Sequence, residues 1–239
     1  MKRIALFFAL LCAANLLRAA SGSGTAGERP PLSVSARVHL VQSDKEPALN
    51  TTLTEEDVRR IFDKVNMIWS QAHIHVELES VCKATAVYDP NARKDIGYGW
   101  VIAALPRDNL LKNGLNIFYV KELTDNGFHS GSTGFIVVKD SAKLAEVPGG
   151  IDEPIPRVTS HEIGHAFSLQ HRQEVINLMA SKKSGYALNE AEITQARAAA
   201  LAKFATAAQE NSELNPKPVI PPAPESARTV RPPGSADGR

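Results

Sequence analysis

The stretch HEIGHAFSLQH, His161 to His171, contains three histidines that the fold must bring together if they bind one ion. On a helix, His161 and His165 are one turn apart and project from the same face, so both imidazoles can reach a single ion. Glu162 is offset around the helix, where its carboxylate can contact a metal-bound water rather than the metal. His171 lies too far along to share that helical face, so the chain must turn to bring it back.

The turn is predicted after about Phe167, with Ser168 at the bend. A helix that ends in a left-handed residue prefers glycine there, and serine costs on the order of 1 kcal/mol. Ligation of a metal by His171 could offset that strain.

Three neutral imidazoles suit zinc, which keeps its fourth position for water and lowers the pKa of that water to about 7. The segment therefore predicts one catalytic Zn²⁺ with Glu162 as the general base. The alternative interpretation is three solvated or core histidines without a metal. This spacing of histidines rarely arises by chance, which disfavours the alternative. The predicted ligands are His161, His165 and His171.

The segment resembles the long zinc signature HExxHxxGxxH of the metzincin endopeptidases, and NLMA, Asn177 to Ala180, resembles their Met-turn. Met179 follows His171 by eight residues, a separation similar to that of the secreted matrixin branch. The resemblance spans roughly residues 161–204. It implies that the three histidines are the ligands, that Glu162 is the general base and that Met179 forms the apolar floor beneath the zinc.

Three residues depart from the family patterns, and the subfamily is left unassigned. Ser168 replaces the usual glycine, and Ser181 stands where astacin-like members have a tyrosine. Arg172, after the third histidine, matches none of the best-known branch markers.

The surrounding sequence predicts an α/β (α+β) fold, and the resemblance implies a mixed twisted sheet with a backing helix, an active-site helix and a C-terminal helix after the Met-turn. Alternating or apolar runs predict the strands, and capping pairs at Thr54/Asp57 and Asn189/Glu192 mark two helices. Pro154 and Pro156 lead into the active-site helix. The stretches 88–108 and 124–133 are predicted as loops. The predicted strands are LSVSARVHL from Leu32, IHVELESV from Ile74, LNIFYVKEL from Leu115 and GFIVVKD from Gly134.

The N-terminal residues MKRIALFFALLCAANLLRAASGSG have the layout of a secretory signal, predicted over residues 1–21. A membrane anchor is the alternative, but the apolar run is shorter than the roughly 20 residues that a spanning helix needs. Export to a secreted or periplasmic location follows, with no stable membrane association after cleavage. Removal of Cys12 with the signal leaves Cys82, predicted to be a buried, inert thiol.

The catalytic domain is predicted over residues 32–210, followed by a proline-rich, disordered tail over 215–239. Seven of the fifteen prolines lie between Pro216 and Pro233. A net charge of +1, from 27 basic and 26 acidic side chains, gives no global field for nucleic acid. The expected partner is a peptide or protein substrate, and the oligomeric state is left open.

The combined prediction is a secreted zinc metalloendopeptidase, a hydrolase acting on peptide bonds. The resemblance implies that a peptide lies extended along the edge strand near Gly134 to Lys139. One alternative is a catalytically silent zinc-containing binding protein, and another is a surface protein whose proline-rich tail is the working part.

The remaining polar residues are given no firm role. His39, His73 and His75 are interpreted as packed or surface residues, whereas His129 is considered for contact with a second metal or substrate. Calcium is not predicted, because the spacing of the available oxygen ligands matches no recognised loop. Those ligands are Asp125, Asn126 and Asp140.

Overall fold

The computed structural model describes residues 29–87 and 98–204. The predicted signal (1–21), the predicted tail (215–239) and the last six residues of the predicted catalytic domain lie outside these ranges. Within the described residues, no helix has the length and apolar character needed to cross a membrane.

Five strands form one mixed sheet in the order β2-β1-β3-β5-β4. β1 pairs in parallel with β2 and with β3, β3 pairs in parallel with β5, and β4 runs antiparallel to β5 at one edge. The predicted mixed α/β fold class is confirmed. The strands are β1 (Leu32–Gln42), β2 (Ile74–Thr85), β3 (Leu115–Val120), β4 (Gly127–His129) and β5 (Phe135–Lys139).

Four α-helices accompany the sheet: α1 (Glu55–Trp69), α2 (Gly99–Ala104), α3 (Pro154–Ala166) and α4 (Glu190–Phe204). α1 is the predicted backing helix, and its apolar stripe is buried from Val58 to Trp69. It begins with the predicted capping box, in which Thr54 Oγ1 accepts from the Asp57 amide and the Asp57 carboxylate accepts from the Thr54 amide. α1 and α3 pack together in the main core.

The start of α4 also follows the sequence prediction. Asn189 Oδ1 accepts from the Glu192 amide, and Glu192 Oε2 accepts from the Asn189 amide, each at 3.0 Å. Ile193, Ala196 and Ala200 are buried against the core. Leu201 and Phe204 are half-buried.

Two loop predictions were wrong in part. Residues 99–104 form helix α2, although most of the stretch before it, residues 88–97, lies outside the described residues. The glycine-rich loop after β3 contains strand β4, so β5 is an inner strand. The edge strand on this side of the sheet is Gly127–His129, not Gly134–Lys139. The short segment NGFH has no alternating pattern that would predict a strand. It is extended because it pairs with β5, and not because of local propensity.

Candidate metal centre

Helix α3 carries the first two histidines, and the second of them, His165, lines a cleft. Its core face is formed by Ile163 and Ala166, both buried in the main cluster. His161 and Glu162 are 4% and 6% exposed. His165, one turn on, is half-buried. The helix therefore divides into an apolar face toward the sheet and a polar face toward the cleft.

The bend after α3 is made at the predicted residue. α3 ends at Ala166, and Ser168 adopts a left-handed φ of 68°. The Leu169 amide donates to Gly164 O at 2.9 Å, which closes the turn around Ser168. The chain then returns toward the cleft and carries His171 to the other two imidazoles.

The three imidazoles form the one group of possible metal ligands found among the described residues, with one ligand atom from each lying within 4.8 Å of the others. His161 Nδ1 lies 2.8 Å from Leu178 O, and His165 Nδ1 lies 3.0 Å from Leu169 O. A carbonyl can only accept, so each Nδ1 carries the proton and each Nε2 presents a lone pair.

These contacts are a direct test of whether the residues fit a metal. His165 Nε2 and His171 Nε2 lie 3.1 Å apart. Two nitrogens bound to one tetrahedral zinc at the usual bond length lie roughly 3.3 Å apart. Neutral nitrogen donors at this spacing fit a borderline cation such as zinc, and no fourth protein ligand joins them within the described part of the chain.

Glu162 lies beside the histidines in a dry position. Its carboxylate accepts a hydrogen bond from the His129 backbone amide, while burial raises the pKa of Glu162 to about 8. A cation held by the histidines would lower that pKa again. Gly127 permits this close approach, since a Cβ there would come within 2.8 Å of Val158 and 3.2 Å of Glu162 Cγ.

Met179 lies fully buried against Gly164 of α3, in the turn predicted from NLMA. Asn177 Oδ1 accepts from the Met179 amide at 2.7 Å, and Met179 O accepts from the Arg172 amide at 2.8 Å. The turn is therefore tied directly to the residue that follows the third histidine.

The cleft over these groups has a volume of about 400 Å³. Sequence reasoning missed two of its residues, Tyr98 and Phe128, and gave no cleft role to Asp125. The Tyr98 hydroxyl donates to the Asp125 carboxylate, and its ring stacks on Phe128 at 4.1 Å. Burial raises the pKa of Tyr98, and the hydrogen bond to Asp125 raises it further. The lining residues are Tyr98, Asp125, Gly127, Phe128, His129, Glu162, His165, Leu169, Gln170 and His171.

His129 is the one histidine outside the predicted ligand set that lines this cleft. Burial lowers the pKa of His129 to about 4, and the neighbouring His165 adds to this effect, so the ring is neutral near pH 7. No sequence signal marked Tyr98 or Phe128, because both reach the cleft through long-range pairing and stacking.

The other histidines lie away from the cleft. His39 is buried and stacks on Phe118, whereas His73 and His75 are exposed. Cys82 is half-buried rather than buried, because β2 is an edge strand of the sheet; its Sγ is 3.3 Å from His39 Nδ1. Burial raises the pKa of Cys82, which keeps the thiol protonated.

The oxygen ligands considered for calcium have other partners. Asp140 accepts from the Thr51 hydroxyl at 2.8 Å, and Asn126 Oδ1 accepts from the Lys143 amide at 3.2 Å. Asp125 accepts from Tyr98.

No protein-family profile matches the chain, and no curated protein matches it. Solved structures do resemble it. Archaemetzincin from Methanopyrus kandleri is 13% identical with a TM-score of 0.45, over 71% of this chain and 95% of its own. Mature mirolysin of Tannerella forsythia, in complex with a cleaved peptide, is 10% identical with a TM-score of 0.47, over 71% and 92%.

A zinc-dependent peptidase from Methanocorpusculum labreanum is 14% identical with a TM-score of 0.38, over 66% of this chain and 99% of its own.

Proposed function

We propose that the chain is a zinc-dependent endopeptidase in which His161, His165 and His171 hold one Zn²⁺ and Glu162 is the general base. The observation that carries this proposal is the convergence of three imidazoles beside a buried carboxylate. Hydrogen bonds to backbone carbonyls fix two of these imidazoles with Nε2 toward the common point.

Zinc bound at this point supplies a Lewis acid that activates water and polarises a peptide carbonyl. Glu162 then accepts the proton of the attacking water and delivers it to the leaving amine. Burial favours this role, because it removes bulk water that would compete with the attacking water for the Glu162 carboxylate. The His129 amide orients the Glu162 carboxylate without taking up its whole accepting capacity.

The substrate is proposed to be an extended peptide paired with β4. Asn126 O accepts from the Lys139 amide and the Ser130 amide donates to Phe135 O, each at 2.8 Å. In an antiparallel pair the bonding direction alternates, so the backbone groups of Gly127 and His129 point away from β5. The His129 amide is used by Glu162, and the remaining groups face the cleft as a template for a peptide strand.

A catalytically silent zinc-binding protein is the second candidate, since it would use the same ligands. Structural zinc sites are usually closed by a fourth protein ligand, whereas three ligands and an adjacent carboxylate are typical of catalytic sites. The described residues supply three ligands together with Glu162, which favours the enzyme.

Export to a secreted or periplasmic location remains part of the proposal. It rests on the basic, apolar and small-residue pattern of residues 1–21. The catalytic domain is proposed over residues 32–210, with the proline-rich segment 215–239 as a disordered extension. A matrixin-like relationship within the metzincins rests on the Met179 spacing alone.

The test is the Glu162→Gln variant, assayed on an unfolded protein substrate with Glu174→Gln as control. Glu174 lies exposed in the loop after the third histidine. Glutamine keeps the shape of residue 162 but cannot take a proton, so we expect stoichiometric zinc with a rate lowered about a hundredfold to ten-thousandfold. Cleavage by the Glu174→Gln variant and by zinc-loaded wild type should match, and chelation should abolish both.

Unchanged cleavage by Glu162→Gln would remove this residue from the mechanism. Absence of cleavage by zinc-loaded wild type across diverse unfolded substrates would favour the silent binding protein.

A further inference from the structure

The segment from Ser168 to Arg172, which carries the third histidine, is flanked by one polar stripe of helix α4. Glu192, Gln195 and Lys203 are spaced so that their side chains lie on the same helical face. Each of them forms a hydrogen bond to this segment or to the end of α3, although they follow it by some twenty to thirty-five residues.

At the bend, two side chains hold a residue that lacks the conformational freedom of glycine. Gln195 Nε2 donates to Ser168 O at 2.6 Å, and Lys203 Nζ donates to Ser168 Oγ at 3.0 Å. Ser168 has a φ of 68°, a value that costs a non-glycine residue free energy.

Lys203 also acts on the end of the active-site helix itself. Its Nζ donates to Ala166 O at 2.9 Å, one of the last carbonyls of α3. A cation at a helix C-terminus satisfies carbonyls that have no partner within the helix and interacts favourably with the helix dipole. Lys203 thus joins the last turn of α3 and the bend in one contact.

Beyond the third histidine, Glu192 holds the chain from the other side. Its side chain is 1% exposed and accepts from Arg172 Nε at 2.8 Å and from Asn177 Nδ2 at 2.9 Å. Arg172 directly follows His171, and Asn177 orients the Met179 amide. His171 therefore lies between two points that α4 fixes.

We propose that the polar stripe Glu192, Gln195 and Lys203 is a positioning device that holds His171 in the metal site and replaces the glycine that the bend would otherwise need. The inference rests on the proposed role of His171 as a ligand, and it is independent of peptide cleavage. None of the three stripe residues is a ligand; they act through Ser168 and Arg172, which lie on either side of His171.

The direction in which zinc affinity changes when Lys203 is replaced distinguishes positioning from simple electrostatics. The Lys203 ammonium is close enough to the cleft to lower the pKa of His129. Removal of a positive charge near a divalent cation would by itself tighten metal binding. A loss of zinc affinity on removal of that charge must therefore come from displaced geometry.

The experiment measures zinc affinity of the full chain after metal stripping, by competition with a chromogenic chelator. Co²⁺ absorption serves as a second readout of ligand number, and thermal unfolding of the metal-free protein reports on the fold. The variants are Lys203→Met, Gln195→Leu, Ser168→Gly and the double change Ser168→Gly with Lys203→Met. Lys203→Arg is the conservative rescue, and Thr194→Val is the matched control, since it removes a hydrogen bond that stays within α4.

We expect Lys203→Met and Gln195→Leu each to weaken zinc binding about tenfold and to reduce the Co²⁺ visible bands, as loss of a supporting contact around a ligand typically does. Thr194→Val and Lys203→Arg should match the wild type. Ser168→Gly should restore most of the affinity that Lys203→Met loses, because glycine adopts the bend without strain.

Unchanged affinity in both Lys203→Met and Gln195→Leu would overturn the proposal, as would a double variant as weak as Lys203→Met alone. Failure of the wild type to bind zinc would instead overturn the metal site. Should Lys203→Met fail to fold, Gln195→Leu decides the question by itself.

Discussion

Gly164 lies directly against the sulfur of Met179. A Cβ placed on residue 164 would come within 2.4 Å of Met179 Sδ, closer than real Cβ contacts allow. Met179 is fully buried, so a methyl group added at residue 164 has to displace packed atoms. Helix α3 and the 177–180 turn are therefore packed at a distance that only a glycine permits, at a position between His161 and His165.

The first prediction is that Gly164→Ala destabilises the metal-free protein by about 1–3 kcal/mol, as overpacking of a filled core typically does. The added methyl group must push Met179 or the helix aside. Urea unfolding measures the loss, and zinc titration reports whether the ligands moved with the helix.

Gly131→Ala is the control for this change, because a Cβ there meets nothing within 4 Å. Its unfolding free energy should stay close to that of the wild type. Equal stability of the two variants would show that the Met179 side chain can move aside without cost.

The second prediction contrasts His171→Ala with Met179→Leu. The first removes a proposed ligand and should lose zinc, whereas the second exchanges similar apolar volumes and should keep one zinc per chain. Elemental analysis after mild zinc loading and dialysis provides the measurement. Equal retention of zinc by both variants would remove His171 from the ligand set.

The third prediction concerns the pairing of a peptide with β4. A series of peptides, each with one backbone amide N-methylated, should lose kcat/KM at alternate positions. Each lost hydrogen bond to the Gly127 or His129 edge costs about 1 kcal/mol, close to a tenfold reduction. Losses without a two-residue period would argue against strand pairing at this edge.

The fourth prediction is a stability effect at Arg157, whose side chain is completely buried in α3. Its guanidinium donates to Ser184 O at 2.7 Å, Lys183 O at 2.8 Å and Ala145 O at 3.0 Å. Arg157→Met leaves these carbonyls without their donor and should lower the unfolding free energy by about 3 kcal/mol.

Arg59→Met is the matched control, because Arg59 is exposed and pairs with Glu55 one turn away. A surface pair of this kind contributes within about 0.5 kcal/mol. A loss at Arg157 no larger than at Arg59 would mean that the cost of burying the guanidinium cancels its hydrogen bonds.

Several features could be predicted from the sequence because short-range contacts determine them. The Thr54/Asp57 and Asn189/Glu192 pairs lie three residues apart, so their helix starts follow from local geometry. His161 and His165 project from the same face because they lie one turn apart on one helix. Alternation from Leu32 and from Ile74 predicted two strands, although the strands extend further to Gln42 and Thr85.

The edge strand β4 could not be predicted from the sequence. Gly127–His129 is a strand because β5 pairs with it, and nothing in three residues with one aromatic side chain marks that pairing. Tyr98 and Asp125 meet over the cleft although 27 residues separate them. Such contacts depend on the relative placement of whole elements, which local propensity does not determine.

The sequence by itself determined that His161, Glu162 and His165 share a helix and that a third histidine follows a turn. Only the tertiary structure decided where that histidine goes. Ser168 reaches a φ of 68° while Gln195 and Lys203 of α4 hold the bend, and the Met-turn backbone holds Arg172 from the other side. The physical reason is that a strained backbone persists only where contacts from distant parts of the chain outweigh its cost.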